Sequence, residues 1–188
     1  VHSGDWKFDR EPMIGARSDY KALEDIGKEG VLAFACDSTN VFCEGYTRSE
    51  SEVRKSLTEL FSRYKKRIAV GCFASNVARM ESIAYAAREN GREVCLVGRS
   101  LWRVDGAARA VGYMKEMPEF LSEDEASQLP DDRVVYICTG SQGEQGAALL
   151  RIAADEHRHV TLDKGDVVIF SSRIIPGNEK AILGLHNR

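Results

Sequence analysis

The chain has 188 residues, of which 43% are hydrophobic and 29% are charged, and its formal net charge is −3. This length can bury a hydrophobic core, and the composition is that of an ordinary water-soluble protein. The apolar runs are far shorter than the roughly 20 residues of a membrane span, no secretory signal is visible, and the charge argues against a protein that coats nucleic acid non-specifically.

Five apolar runs rich in β-branched residues predict strands, and each is followed by a polar turn and then a helical pattern. The runs occupy residues 31–36, 68–73, 94–97, 134–138 and 167–170. The helical patterns occupy residues 53–64, a segment that stops near 90–91, a segment that reaches about 111, residues 147–155, and a final segment from about 178. Residues 49–52, Ser-Glu-Ser-Glu, have the spacing of a capping box at the start of the first helix.

The runs are continuously apolar, a pattern typical of strands that are covered on both faces, as in parallel sheets with helices on each side. Crossover connections between parallel strands are right-handed, so the carboxyl ends of the strands gather at one edge, where ligands bind. We therefore predict an α/β fold with a largely parallel sheet flanked by helices. The predicted working surface is the set of turns that follow the strands.

Polar side chains are concentrated in these turns. They are Asp37, Ser38, Ser75, Asn76, Arg99, Ser100, Ser141, Gln142, Ser171 and Ser172. Hydroxyls, amides and helix N-termini suit phosphate oxygens, although the same residue types also cap helices, which leaves a structural role open for each single turn. The loop at 139–144, Thr-Gly-Ser-Gln-Gly-Glu, lacks the spacing of a mononucleotide phosphate loop.

The cysteines and histidines predict neither a disulfide framework nor a complete metal site. No two of the five cysteines form a CxxC pair, and Cys36, Cys72, Cys95 and Cys138 sit within or beside apolar runs, so we expect small buried side chains in a reducing cytoplasm. The four histidines form no HxHxDH cluster. His157 and His159 lie in a polar stretch and are predicted to be exposed.

Five stretches of the sequence together resemble a known family. In chain order they are VHSGDWKFD, GVLAFACDSTN, FASNVARM, TGSQGE and SSRIIPGNEKA. They are similar to the signature stretches of ribonuclease J, the metallo-β-lactamase-fold ribonucleases that carry an inserted β-CASP domain. The resemblance implies a strip of the metallo-β-lactamase domain at residues 1–45 and a Rossmann-like β-CASP domain at residues 46–188. The sequence starts without Met, and both ends look cut, so we expect a fragment.

The resemblance also implies an active site. Asp5 matches an aspartate that bridges two zinc ions in the full-length enzyme, and Asp37 matches an acidic residue beside the metals. Two such ions can generate a hydroxide and stabilise both oxygens of a phosphodiester displacement. The segments that match the RNA channel contain Ser38, Ser75, Asn76, Arg79, Ser141, Gln142, Gly143, Glu144, Ser171 and Ser172.

The implied substrate is single-stranded RNA, degraded from a 5′-monophosphate end or cut internally, in the cytoplasm and without a membrane partner. The implied full-length assembly is a homo-oligomer. Because the zinc-binding HxHxDH motif is absent from this sequence, we expect the isolated chain to hold no stable zinc and to be inactive.

Two alternatives stay open from the residues alone. The same turns would serve a module that binds a nucleotide or a phosphorylated metabolite without hydrolysis, or the chain would be a structural or dimerisation domain. Trp6 or Phe73 would offer an aromatic face for a stacked base, although for Phe73 ordinary core packing at a strand end is the favoured interpretation.

Overall fold

The structure, a computed structural model, describes residues 1–188, which form two compact units, Val1–Val53 and Arg54–Arg188. The helices are α1 (Tyr20–Glu29), α2 (Glu50–Phe61), α3 (Val77–Glu89), α4 (Arg99–Ala110), α5 (Glu123–Ala126), α6 (Ala148–Ala153) and α7 (Glu179–His186), with a 3₁₀ turn at Asp131–Arg133. The strands are β1 (Ile68–Gly71), β2 (Glu93–Val97), β3 (Val134–Cys138) and β4 (Val167–Phe170). No helix combines the length and the apolar character that crossing a membrane would require.

The four strands of the second unit form one parallel sheet in the order β2-β3-β1-β4. Ile68 of β1 is paired with Val135 of β3 on one side and with Val167 of β4 on the other. This arrangement confirms the predicted α/β fold, and the predicted runs at 134–138 and 167–170 have the bounds of β3 and β4. Every residue of β1 and β3 is buried, which explains why these runs are continuously apolar.

The core lies between the sheet and its helices. α3 contributes Met80 and Ile83, which are fully buried together with Ile68 and Ile137 of the central strands. Burying a side chain of this size stabilises a fold by about 1.5–3 kcal/mol. Gly71 leaves room for the side chain of Leu149 in α6, because a Cβ atom at Gly71 would lie 2.5 Å from Cδ1 of Leu149.

The predicted strand at residues 31–36 is wrong. The run makes a single parallel bridge, between His2 and Ala35, and two side chains within it, Leu32 and Phe34, are 106% and 56% exposed. A strand is stabilised by a ladder of hydrogen bonds to a neighbour, and here the ladder is one bridge long. Cys36 is consequently exposed, contrary to the prediction, whereas Cys72, Cys95 and Cys138 are buried as predicted.

The prediction that His157 is an exposed residue is also wrong. Its side chain is 6% exposed, its Nδ1 atom accepts a hydrogen bond from the backbone N–H of Val160 at 3.3 Å, and its Nε2 atom lies 3.9 Å from Glu123. Burial lowers the pKa of His157, while the nearby Glu123 opposes that shift. His159 is more accessible and lies 2.8 Å from Asp124, so the polar stretch is held against α5.

Candidate functional site

The carboxyl ends of the four parallel strands lie at one edge of the sheet, and a polar turn continues each of them. These segments are residues 72–76 after β1, Gly98 with the first two residues of α4 (98–100) after β2, 139–147 after β3 and 171–178 after β4. We call these four turns the polar edge. The site residues predicted within the second unit all lie on the polar edge or, for Arg79, in the first turn of the following helix.

The turn after β1 begins α3. The side-chain oxygen of Asn76 accepts a hydrogen bond from the backbone N–H of Arg79 at 3.0 Å. This bond satisfies one of the N–H groups that a helix start leaves without a partner. Asn76 therefore caps the helix, and the neighbouring Ser75 is the exposed hydroxyl of this turn.

Arg79 ties the turn after β1 to the turn after β4. Its Nη1 atom donates to the carbonyl oxygen of Ser171 at 2.9 Å and to the hydroxyl oxygen of Ser171 at 2.8 Å. Hydrogen bonds from a charged donor are stronger than those between neutral groups. The guanidinium group is thus engaged within the fold, and it orients a serine that was predicted as an RNA contact.

Glycines shape the loop after β3. Gly140 and Gly143 have φ angles of 104° and 74°, a region that favours glycine. At Gly143 a Cβ atom would also lie 2.7 Å from the carbonyl carbon of Ala181 in α7. The loop is further closed by the backbone N–H of Gln142, which donates to the Glu144 carboxylate at 2.8 Å.

The side chain of Gln142 lies beneath the polar edge. It is 4% exposed. Its Nε2 atom donates to the hydroxyl of Ser172 at 3.2 Å and to the carbonyl of Arg173 at 2.9 Å, and its Oε1 atom accepts from the backbone N–H of Ile175 at 2.9 Å and from the Asn178 amide at 3.3 Å. Gln142 therefore fastens the loop after β3 to the turn after β4.

Other predicted residues of this loop are also covered. Ser141 is 2% exposed, and its hydroxyl makes no hydrogen bond within the protein. Gly143 is buried under α7, whereas Glu144 is exposed. Within residues 141–144 the surface is accordingly formed by Glu144, and the first three residues form the layer below it.

In the first unit, Asp5 and Asp37 line the same shallow depression. Its remaining lining residues are Trp6, Lys7, Thr39 and Asn40. Both the hydroxyl and the backbone N–H of Thr39 donate to Asp37, at 2.6 and 2.9 Å, and these two hydrogen bonds lower the pKa of Asp37. The indole N–H of Trp6 donates to the Asp37 carbonyl at 3.1 Å. Trp6 itself is 43% exposed. Ser38 is exposed beside them.

The depression offers a metal two carboxylates. Zinc in proteins is bound by about four ligands drawn from Cys, His, Asp and Glu. No group of three or more such side chains lies close enough together in residues 1–188 to hold a metal ion. Asp5 and Asp37 line the depression together, and their part in a metal site stays a prediction.

Asp9 is an important residue that the sequence interpretation missed. One of its carboxylate oxygens accepts from the Ser49 hydroxyl at 2.6 Å, and the other accepts from the backbone N–H of Glu50 at 3.0 Å. Burial raises the pKa of Asp9, but these bonds, with a third from Glu11 and the charge of Lys7, lower it to about 2. Asp9 thus caps α2 in place of the local capping box, and a contact between residues 40 apart leaves no local sequence signal.

Comparison with known proteins assigns this arrangement to a family. Residues 65–188 match the family model described as the β-CASP domain of ribonuclease J. The chain belongs to the ribonuclease J family. The family resemblance predicted from the five sequence stretches is therefore confirmed, together with the α/β fold that it implied.

Proteins named Ribonuclease J match the chain along its whole length. The one from Sinorhizobium meliloti is 50% identical over 187 residues, that from Mycolicibacterium smegmatis is 46% identical over 186 residues, and that from Thermus thermophilus is 39% identical over 188 residues. These alignments cover 100%, 98% and 100% of the chain but 33% of each relative. The chain spans about a third of the length of these relatives.

Proposed function

We propose that this chain is the RNA-binding β-CASP part of a zinc-dependent ribonuclease of the ribonuclease J type, and that the polar edge holds the backbone of single-stranded RNA. The observation that carries the proposal is the joining of three polar turns into one edge. Arg79 connects the turn after β1 to Ser171, and Gln142 connects the loop after β3 to residues 172–178. A surface of this kind is fixed before RNA arrives.

The chemistry of the polar edge suits phosphate and sugar groups. Ser75 is exposed, and Ser171 and Ser172 are half-buried at the start of the turn after β4. The hydroxyl of Ser171 accepts from Arg79 and keeps its own O–H to donate to a phosphate oxygen. Arg99, at the start of α4, and Lys180, at the start of α7, are exposed and add positive charge close in sequence to the turns. Contacts of this type position a strand without reading its bases, so we expect binding that is largely independent of RNA sequence.

The buried members of the predicted set support the edge from below. Ser141, Gln142 and Gly143 shape the loop, Asn76 caps α3, and Glu144 closes the loop through its bond to the Gln142 backbone. Their proposed contribution to RNA binding is the shape of the surface. Ser38 and Trp6 belong to the first unit and would meet RNA beside the two aspartates.

Residues 1–45 are proposed to belong to a metallo-β-lactamase domain, with residues 46–188 as the β-CASP domain. In this proposal Asp5 is a zinc ligand, and Asp37 is an acidic residue beside the metals; both line one depression. The other ligands would come from parts of the enzyme outside this chain, so the chain alone is proposed to be inactive.

The remaining parts of the proposal concern the whole enzyme. It would degrade RNA from a 5′-monophosphate end and also cut internally, act in the cytoplasm, and assemble as a homo-oligomer. The name Ribonuclease J, which the matching relatives carry, supports cleavage of RNA, and the other parts rest on the resemblance described under Sequence analysis.

Titration of the chain with fluorescent 5′-phosphorylated RNA and with ATP tests the proposal. We expect RNA affinity that falls steeply with salt concentration, because phosphate contacts release counterions, and little binding of ATP. Ser75→Trp should weaken RNA binding without unfolding the protein, since Ser75 is exposed, and Gln128→Trp at another exposed position is the matched control. Tight ATP binding with no preference for RNA would instead favour the nucleotide-binding alternative.

A further inference from the structure

The amide of Gln142 has an unusual set of partners for a residue in a surface loop. The side chain is 4% exposed, and both of its polar atoms are bonded to residues 172–178. Two of the partners in that segment are backbone groups, the carbonyl of Arg173 and the N–H of Ile175, and Nε2 also donates to the carbonyl of Ser141 at 3.3 Å. A neutral amide both donates and accepts, through separate atoms, so it can hold a carbonyl and an N–H group at once.

The bonds of Gln142 join two strands that are not neighbours. β1 lies between β3 and β4 in the sheet, so no ladder of hydrogen bonds connects the loop after β3 to the turn after β4. Gln142 reaches across the end of β1 and makes that connection. The close packing of Gly143 against the Ala181 backbone lies beside it.

The segment 172–178 has little internal support of its own. Its backbone hydrogen bonds include Asn178 N–H to the Ile175 carbonyl at 3.0 Å, and Gly177 N–H to the Glu179 carboxylate at 2.8 Å. Ile174 and Ile175 are 47% and 46% exposed, so apolar burial contributes little. Segments with few buried contacts open at low free-energy cost unless other bonds hold them.

We propose that Gln142 is a positioning residue, which holds the segment 172–178 in the shape that binds RNA and does not touch the RNA itself. Its burial argues against direct contact, and its four bonds argue for control of the segment. This role rests on the proposed RNA binding by the polar edge.

Gln142→Met is the decisive variant, because methionine keeps the volume and removes every hydrogen bond of the amide. Hydrogen–deuterium exchange followed by mass spectrometry should show faster exchange in peptides from 172–178, with the peptides of β1 and β3 unchanged. RNA affinity should fall about tenfold, as expected when a binding surface is no longer held in its bound shape. The matched control is Gln128→Met, an exposed glutamine after α5, which should change neither measurement.

Gln142→Glu adds a readout that a general loss of stability would not produce. The introduced carboxylate keeps the acceptor for Ile175 and Asn178 but loses the donor to Arg173, and a protonated carboxyl regains it. Burial raises the pKa of a carboxyl group. The RNA affinity of the Gln142→Glu variant, relative to that of the unsubstituted chain, should therefore recover as the pH falls. The charged residues in the segments around position 142 are Glu144, Arg173 and Glu179. The Gln142→Met variant should show no such recovery.

The outcomes separate this role from the proposed function. If Ser75→Trp weakens RNA binding and Gln142→Met loosens 172–178 without affecting affinity, the positioning role is contradicted and the RNA-binding edge stands. If Ser75→Trp leaves RNA binding unchanged, the proposed function fails first. Unchanged exchange in 172–178 of the Gln142→Met variant would also overturn the positioning role.

Discussion

Arg79 and Ser171 meet across the carboxyl edge of the sheet, where one guanidinium nitrogen donates to both the carbonyl and the hydroxyl oxygen of the serine, at 2.9 and 2.8 Å. Arg79 stands in the first turn of α3, and Ser171 directly follows β4. The two residues are 92 positions apart in the sequence. Their contact joins the turn after β1 to the turn after β4.

Arg79→Lys should weaken this junction. Lysine carries a single compact ammonium group and cannot reproduce the geometry of the planar guanidinium. We expect the free energy of unfolding to fall by about 1–3 kcal/mol, the usual cost of leaving a part-buried polar group without its partner, and we expect weaker RNA binding. Urea denaturation measures the first effect. Arg103→Lys, at an exposed position on α4, is the control, and equal losses in the two variants would contradict a special role for Arg79.

Gly143→Ala should be far more disruptive than Gly146→Ala. The two glycines lie in the same loop with φ angles of 74° and 72°, so alanine meets the same conformational penalty at both. A Cβ atom at Gly143 would lie 2.7 Å from the Ala181 backbone, whereas nothing lies within 4 Å at Gly146. We expect an additional cost of about 1–3 kcal/mol at Gly143, as for overpacking of a core. Similar melting temperatures for the two variants would count against the packing of the loop on α7.

Asp9→Asn should loosen the start of α2. Replacing a helix cap costs about 0.5–2 kcal/mol, and amide exchange in peptides covering Glu50 to Val53 should rise. The pKa of Asp9 is about 2, below its ordinary value of 3.8, so its stabilisation is complete above the ordinary value and is lost as the pH falls through about 2. The protection of the Glu50 amide, expressed relative to the intrinsic exchange rate at each pH, should therefore fall over this range in the unsubstituted chain and change little in the Asn variant.

His157 should make stability depend on pH near neutrality. Burial, the main cause, lowers the pKa of His157 below its ordinary value of 6.5; Glu123 opposes this, and Arg151 and His159 add to it. The unfolded chain then binds the proton more readily, so stability falls as the pH drops below the ordinary value. His157→Asn retains an acceptor for the Val160 N–H and should flatten the melting temperature between about pH 8 and pH 5.5. An unchanged pH dependence would contradict this origin.

Ser141→Ala should be tolerated. The Ser141 hydroxyl is buried and has no hydrogen-bond partner in the protein, and a buried polar group in that state is destabilising. We expect the variant to be as stable as the unsubstituted chain or more stable, by up to about 1 kcal/mol, with unchanged RNA affinity. A loss of RNA affinity at unchanged stability would show that the hydroxyl reaches the RNA after all.

The sheet could be predicted because burial on both faces leaves a mark in the sequence. Val134–Cys138 is continuously apolar and every residue of it is buried in the structure, whereas Val167–Phe170 is equally apolar but forms an edge strand that is only partly buried. The run at 31–36 is also continuously apolar, but it does not form a strand, because an apolar run predicts burial and does not supply a partner strand. Its one bridge is to His2. Sequence periodicity identifies a strand, whereas tertiary pairing decides whether it forms.

The position of the candidate site followed from topology, but the role of each residue did not. Parallel strands bring their carboxyl ends together, so the turns after β1, β3 and β4 had to meet at one edge. Gln142 and Glu144 are two residues apart, yet the first is buried and the second exposed, because α7 and the segment before it cover the start of the loop. The same limit hid Asp9, whose partners Ser49 and Glu50 are brought to it only by folding.

Photochemical crosslinking of RNA to the protein, with the crosslinked peptides identified by mass spectrometry, tests RNA binding by the polar edge. We expect crosslinks within residues 72–79, 139–147 and 171–178, and we expect them to disappear in the Ser75→Trp variant. Crosslinks concentrated at the opposite edge of the sheet, around Arg67, Asp131 and Asp166, would contradict the assignment of the polar edge as the RNA-binding surface.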